Sequence, residues 1–299
     1  MRTNPSVVRG YLNRGSEAGV PRGYNRRPPR RPRPKVREIL AHVPFRGTIR
    51  ERSVDPFVRL LNALRTKRRV RGVLFDISSG GGETTASTDL YLALKRLDRA
   101  KPVVASIGSL GASGAYLAAL GARRILAYPD SGVGSIGVIY PHIAVRDLAR
   151  RLGVSVDLVH AGLHKDAYQG YRPLTDLERT KLQAVTDDIY EQFVAIVARE
   201  RQRPLEEIRA LATGEFWTGR RAQELGLVDA VGDREAAIEE LSRLTGVPAR
   251  KTVRLGPPRP FVDRLLNGAA GDLGGGWFGR LRDGFEDAVL DAGSGWFRR

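Results

Sequence analysis

Twice along this chain an apolar run of strand length breaks into a glycine-rich turn and reopens as a helix. No other feature limits the fold as much. The first instance is VRGVLFDI at 70–77, then Ser78-Ser79-Gly80-Gly81-Gly82, then a helical pattern over 85–98 with Leu90, Leu94 and Leu97 on one side. The second is a strand at 102–107, a turn at 108–112 and a helix at 113–120. Short apolar strands alternating with helices predict an α/β fold with largely parallel pairing.

The remaining periodicity extends the pattern. Strands are expected at 42–49, 124–128, 138–145 and 154–160, with a loop at 130–137. Helices are expected at 55–67, 147–152, 205–211, 219–225 and 234–244. The clearest helix covers 175–201. There Thr175 and Glu178 form a T-x-x-E capping box, and Leu182, Val185, Ile189, Phe193 and Ile196 recur at three or four residues. Between Lys101 and Arg123 no charge occurs, a length that could span a bilayer. Glycines and serines interrupt it, and a strand, turn and Ala/Leu helix account for it better.

Charge divides the chain. Residues 1–37 carry eleven Arg or Lys against Glu17 alone, many prolines and little apolar content, in a protein whose net charge is +17. Such a segment cannot bury enough surface to order itself. The expected organisation is a disordered Arg/Pro-rich tail over 1–37, a main folded domain over 38–250, and a glycine-rich extension over 251–299. In that extension Trp277, Phe278, Leu281 and Phe285 fall at roughly helical spacing. The tail could attract nucleic acid or an anionic membrane surface, but a solvated solubilising role fits it at least as well. Nucleic acid is therefore not the expected partner. No apolar stretch of signal-peptide length follows the amino terminus. A cytoplasmic location, with peripheral contact at a membrane surface as an option, is expected.

The absence of cysteine removes disulfides, thiolate metal sites and a cysteine nucleophile together. His42, His142, His160 and His164 lack metal-ligand spacing, and neither glycine turn is G-x-G-x-x-G or ends in a Walker lysine. Neither a metal nor another cofactor is expected. Glycine turns at helix starts do expose backbone amides that suit an anion or a developing oxyanion. Ser113, in Gly111-Ala112-Ser113-Gly114-Ala115, stands at such a start, where a serine is either a cap or a nucleophile. A serine nucleophile needs a base. His164 and Lys165 are both candidates on bare chemistry, the lysine only if desolvation or nearby positive charge lowers its pKa.

Several blocks, taken in order, resemble the signal peptide peptidase family, the S49 serine peptidases. They are D-I-S-S-G-G-G-E at 76–83, S-L-G-A-S-G-A-Y at 109–116, G-V-G-S-I-G-V-I at 132–139 and H-A-G-L-H-K-D-A-Y at 160–168. Y-R-P-L-T at 171–175 and G-E-F-W-T-G-R-R-A-Q-E-L-G-L-V-D at 214–229 complete them. The resemblance implies a Clp protease/crotonase-like fold of repeated strand–strand–helix units. It implies Ser113 as nucleophile, Lys165 as general base, Ser135 as the residue that positions the lysine, and the Gly81 and Gly114 amides as oxyanion-hole donors. It also implies peptide substrates, unfolded or membrane-released and apolar at the cut site. A homo-oligomeric ring or dome is expected, in which a neighbouring subunit can supply the lysine. The chain departs from the family pattern at Gly80, where proline is usual, and at Gln169-Gly170, where Ser-Pro is frequent. Two readings from other classes stand beside it: a crotonase-type acyl-CoA enzyme on the same fold, and a catalytically silent scaffold or nucleic-acid-binding protein acting through the tail.

Overall fold

A computed structural model describes residues 37–257. Residues 1–36, and with them nearly all of the expected tail, lie outside the described residues. So do most of the expected 251–299 extension and its aromatic helix.

The centre is a mixed sheet in the order β6-β5-β3-β2-β1-β8. Its strands β1 (Ile39–Arg46), β2 (Val70–Ser79) and β3 (Val103–Ala112) run parallel to one another. The far edge of β1 carries β8 (Thr252–Arg254), so the sheet continues past residue 250. The far edge of β3 is shared. Its first half pairs β4 (Arg124–Ala127), itself paired to β7 (Ala230–Val231), and its last residues pair β5 (Gly132–Gly134). Among the described strands only β6 (Phe216–Thr218), on β5, is antiparallel. A mostly parallel α/β fold is what the strand–helix alternation predicts.

Because side chains alternate across a strand, β1 to β4 feed two cores. Phe45, Phe75, Ile77, Ala105 and Ile107 face α1 (Glu51–Thr66), α2 (Thr84–Asp98) and α3 (Gly114–Ala119). Leu40, Leu74, Val104 and Leu126 face the other way, against Ala237, Ile238 and Leu241. These three lie on the helix Arg234–Thr245, which becomes α8 when α4 (Arg146–Arg151), α5 (Asp176–Arg201), α6 (Leu205–Leu211) and α7 (Gly219–Glu224) are counted. With both faces covered, β2 reads as a nearly unbroken apolar run.

Four expectations are corrected. The first strand starts three residues earlier than the reading at 42–49, and its end at Arg46 leaves only an isolated bridge at Ile49. The turn at 108–112 is part of β3. Ile77 pairs Ile107 and Ser79 pairs Gly111, so β3 carries extra residues around Ser109 as a bulge. Glycines signal both turns and bulges, and pattern alone does not separate them. The strands at 138–145 and 154–160 are irregular chain. Their β-branched and aliphatic residues stay exposed (Ile139 at 89%, Val159 at 98%), and a strand forms only where its backbone groups find a partner. Finally, the apolar stripe of α5 is covered only in part: Phe193 is buried, whereas Val185 is exposed. The capping box is as expected, with Glu178 N–H donating to Thr175 Oγ1 at 3.3 Å and Thr175 N–H to Glu178 Oε2 at 2.9 Å.

Candidate active site

Ser113 joins β3 to α3 as the N-cap residue with φ 51° and ψ −126°, a conformation that non-glycine residues rarely hold. Such strain persists only where surroundings over-determine it, and it clusters at functional sites. The surroundings here are specific. Ser113 N–H donates to the carbonyl of Gly134 at 2.7 Å, tying the turn to β5. Its hydroxyl does not cap the helix, which leaves the oxygen for other chemistry.

The glycine turn after β2 and the glycine-rich end of β3 meet at this serine. Gly81 has φ 96°, and a Cβ there would lie 2.8 Å from the Gly114 nitrogen and 2.9 Å from Ser113 Cβ. A Cβ on Gly114 would come 2.0 Å from Ser87 Oγ on α2. Small residues at both positions therefore let the two backbone segments and α2 pack closely beside Ser113. The Gly81 N–H is at present directed to Ser79 Oγ at 3.1 Å.

Ser135 stands opposite, also at positive φ (49°), with its N–H donating to the carbonyl of Glu215 at 2.6 Å. Ser113, Ser135, Gly81 and Gly114 line one cavity of about 1090 Å³. Its apolar wall comes from Leu117 of α3 and from Ile189, Phe193 and Ile196 of α5. Cavities of this kind, apolar with a few convergent polar groups, are where ligands bind. Among the described residues that line it, only Asp187 and Tyr190 have titratable side chains. Asp187 accepts a hydrogen bond from Gln183 Nε2 at 2.7 Å.

Lys165 is not among the lining residues. It lies exposed on the irregular segment between α4 and α5, its N–H donating to the carbonyl of Gly162 at 3.1 Å. Its neighbours are firmly placed. Asp166 Oδ2 accepts from Arg172 Nε at 2.9 Å, and Arg172 also donates from both terminal nitrogens to Glu178 at 2.8 Å. His164 Nδ1 stands 3.8 Å from Glu178 Oε1, and His142 Nε2 lies 2.9 Å from the Arg172 carbonyl. The hydrogen bond from Arg172 and those from Thr175 hold the Glu178 carboxyl far below the usual range, and Arg172 lowers Asp166 likewise. Arg172 was not singled out by sequence reasoning. The capping box that marks Glu178 was the available signal, since a box carboxylate can also receive a guanidinium.

Among the described residues no group of three or more His, Asp or Glu is placed to hold a metal, and no helix is long and apolar enough to cross a membrane.

Comparison with known proteins adds an independent line. The model of peptidase family S49 matches residues 95–248. A Synechocystis sp. protein provisionally named a protease is 34% identical over 235 residues, covering 78% of this chain and 84% of that one. A Methanocaldococcus jannaschii protein, also provisionally named a protease, is 36% identical over 200 residues, 67% of this chain and 64% of its own. The chloroplastic serine protease SPPA of Arabidopsis thaliana is 28% identical over 218 residues, 72% of this chain but 32% of its own length.

Proposed function

Because the chain belongs to peptidase family S49, we propose that it is a serine endopeptidase with Ser113 as nucleophile and Lys165, supplied by a neighbouring copy, as general base. The observation that carries this reading is the backbone of Ser113. It is held at positive φ between the bulged end of β3 and the glycine turn after β2, with its hydroxyl unused as a cap, in a cavity of peptide-binding size.

The chemistry follows. Ser113 Oγ attacks the scissile carbonyl carbon as Lys165 Nζ takes the hydroxyl proton. The carbonyl oxygen becomes an oxyanion and takes hydrogen bonds from the Gly81 and Gly114 amides, the former released from Ser79. One such donor is worth roughly 3 kcal/mol in a transition state. Collapse breaks the C–N bond, and the lysine proton passes to the leaving amine. A water molecule, deprotonated by the same lysine, then hydrolyses the acyl-enzyme. Ser135, on the cavity wall, orients the lysine.

Sharing of the site between copies is supported by what lines the cavity. No lysine or histidine is there, and Lys165 rides on an exposed segment. That segment carries Leu152, Val159 and Leu163, and Ile143 lies just before α4; all are at least 70% exposed, an apolar surface suited to a second copy in a ring or dome. Burial against that copy would provide the desolvation a lysine base needs. Unfolded, apolar peptides suit the apolar cavity wall as substrates.

The test is hydrolysis of casein and of apolar peptides by wild type, Ser113→Ala and Lys165→Ala across a pH series. Wild type alone should cut, and faster toward alkaline pH, where an amine base is free of its proton. Mixing the two inactive variants should restore activity if sites are shared, because one interface then pairs an intact serine with an intact lysine. Equal inertness of all three folded proteins would sink the reading.

A further inference from the structure

On the α8 side of the sheet, at the carboxyl ends of β1 to β4, lies a second cavity of about 420 Å³. This is the end of a parallel sheet where α/β proteins place ligands. It is lined by Arg46, Ser78, Ser109, Tyr128, Asp130 and Arg234, and it adjoins the Ser113 cavity, which Ser78 and Ser109 also line. The β3 bulge creates the junction by turning Ser109 outward, where its hydroxyl meets that of Ser78 at 2.5 Å.

The two arginines are fixed from beneath. Asp76, 2% exposed, receives Arg46 Nη2 on Oδ1 at 2.8 Å and Arg234 Nε on Oδ2 at 2.9 Å, with His42 Nε2 at 3.0 Å from Oδ2. Burial alone would raise its carboxyl pKa. The His42 hydrogen bond and the two guanidinium charges outweigh that and lower it, so Asp76 is an ionised anchor. Arg46 Nη1 is tied further to the carbonyls of Phe45 and Asp76. Arg234 uses only Nε in this way, and its terminal nitrogens have no partner among the described residues. The Tyr128 hydroxyl accepts the Arg234 N–H at 3.2 Å and keeps its proton to donate. Both Asp76 oxygens are occupied. Only Asp130, exposed at the rim and without an ion-pair partner among the described residues, adds an acceptor to a site rich in donors.

We propose that this cavity is a subsite for a carboxylate of the bound peptide, gripped by the planar fork of Arg234 beside Arg46. A guanidinium fork matches a carboxylate in geometry and charge. The identity of the ligand as a peptide rests on the peptidase reading above. Ser109 precedes Ser113 by four residues, at most about 13 Å at the strand rise of roughly 3.3 Å per residue. One extended peptide can therefore reach from Ser113 to the junction of the two cavities.

The experiment uses two decapeptide series. In one, Glu is compared with Gln at each position around the cut; in the other, a free carboxyl terminus is compared with an amide. Wild type should cut the acid member with kcat/KM about tenfold higher at one position, and Arg234→Gln should bring the pair together. Arg234→Lys, which keeps the charge over Asp76 but lacks the fork, should lie between, and Tyr128→Phe should weaken the preference if Arg234→Gln does not fold. A preference for Glu assigns a side-chain carboxylate, and one for the free terminus assigns a product-like end. Equal rates throughout, or a preference for the neutral member, would overturn the subsite. Fluorescence anisotropy of the same labelled peptides on Ser113→Ala reads the preference without cleavage. If wild type cuts nothing while acid peptides still bind about tenfold tighter, the peptidase reading fails and the subsite stands; if binding is indifferent too, both fail.

Discussion

Arg172 grips Glu178 through both terminal nitrogens, each at 2.8 Å, and its third nitrogen reaches Asp166, the residue after Lys165, at 2.9 Å. One guanidinium thus joins the capped start of α5 to the segment carrying the proposed base. Glu178 serves twice, as the capping-box carboxylate for Thr175 N–H and as the partner of Arg172.

Arg172→Lys should therefore act on catalysis more than on folding. Lysine keeps the charge but lacks the fork. We expect kcat to fall at least tenfold with KM little changed and an unaltered circular dichroism spectrum. A raised KM at full kcat would instead mean that the segment serves binding.

The same network sets an acid limit. Glu178 and Asp166 both have carboxyl pKa values lowered by Arg172. A depressed carboxyl contributes stability that is present above its unfolded value, about 4 for these residues, and is lost as pH falls through the folded value. Hydrogen exchange of residues 160–178 should accelerate as pH is lowered through and below 4, after correction for intrinsic rates, and Glu178→Gln should show fast exchange already at neutral pH.

Gly114→Ala tests the crowding at the helix start. The new Cβ would lie 2.0 Å from Ser87 Oγ, in a helix pair that is otherwise close-packed. Overpacking of this kind costs about 1–3 kcal/mol. Thermal unfolding should show a lowered midpoint together with lost activity, and adding Ser87→Ala should recover part of the stability.

Val159→Glu and Leu163→Glu place charge on a surface that is 98% and 81% exposed in the single chain. If a second copy covers it, light scattering after size exclusion should show a smaller assembly, and activity should fall in parallel. Unchanged size and activity would mean that this surface is not the one that associates.

Local patterns made much of this protein legible without coordinates. The capping box at Thr175 and Glu178 is a matter of residues three apart, so it could be read directly, as could β2 and α2. Ser113, Ser135, Gly81 and Gly114 could be named from short motifs, and one cavity brings them together. The errors have a common cause. Residues 138–145 and 154–160 have the composition of strands, but pairing is a long-range condition that composition cannot supply. Glycines 108 and 111 marked a break in regularity, yet whether it became a turn or a bulge depended on where β2 lay beside it.

What the sequence by itself determined is the central strands, most of the helices and Ser113 as a candidate, because capping, alternation and glycine freedom act within a few residues. What only the tertiary structure decided is which side chains meet. Arg46, Asp76 and Arg234 converge because β1 ends, β2 nears its end and α8 begins at the same edge of the sheet. Lys165 stands outside the Ser113 cavity, on a segment that pairs with no strand among the described residues. Distances across the fold follow from packing the elements together, which no local pattern encodes.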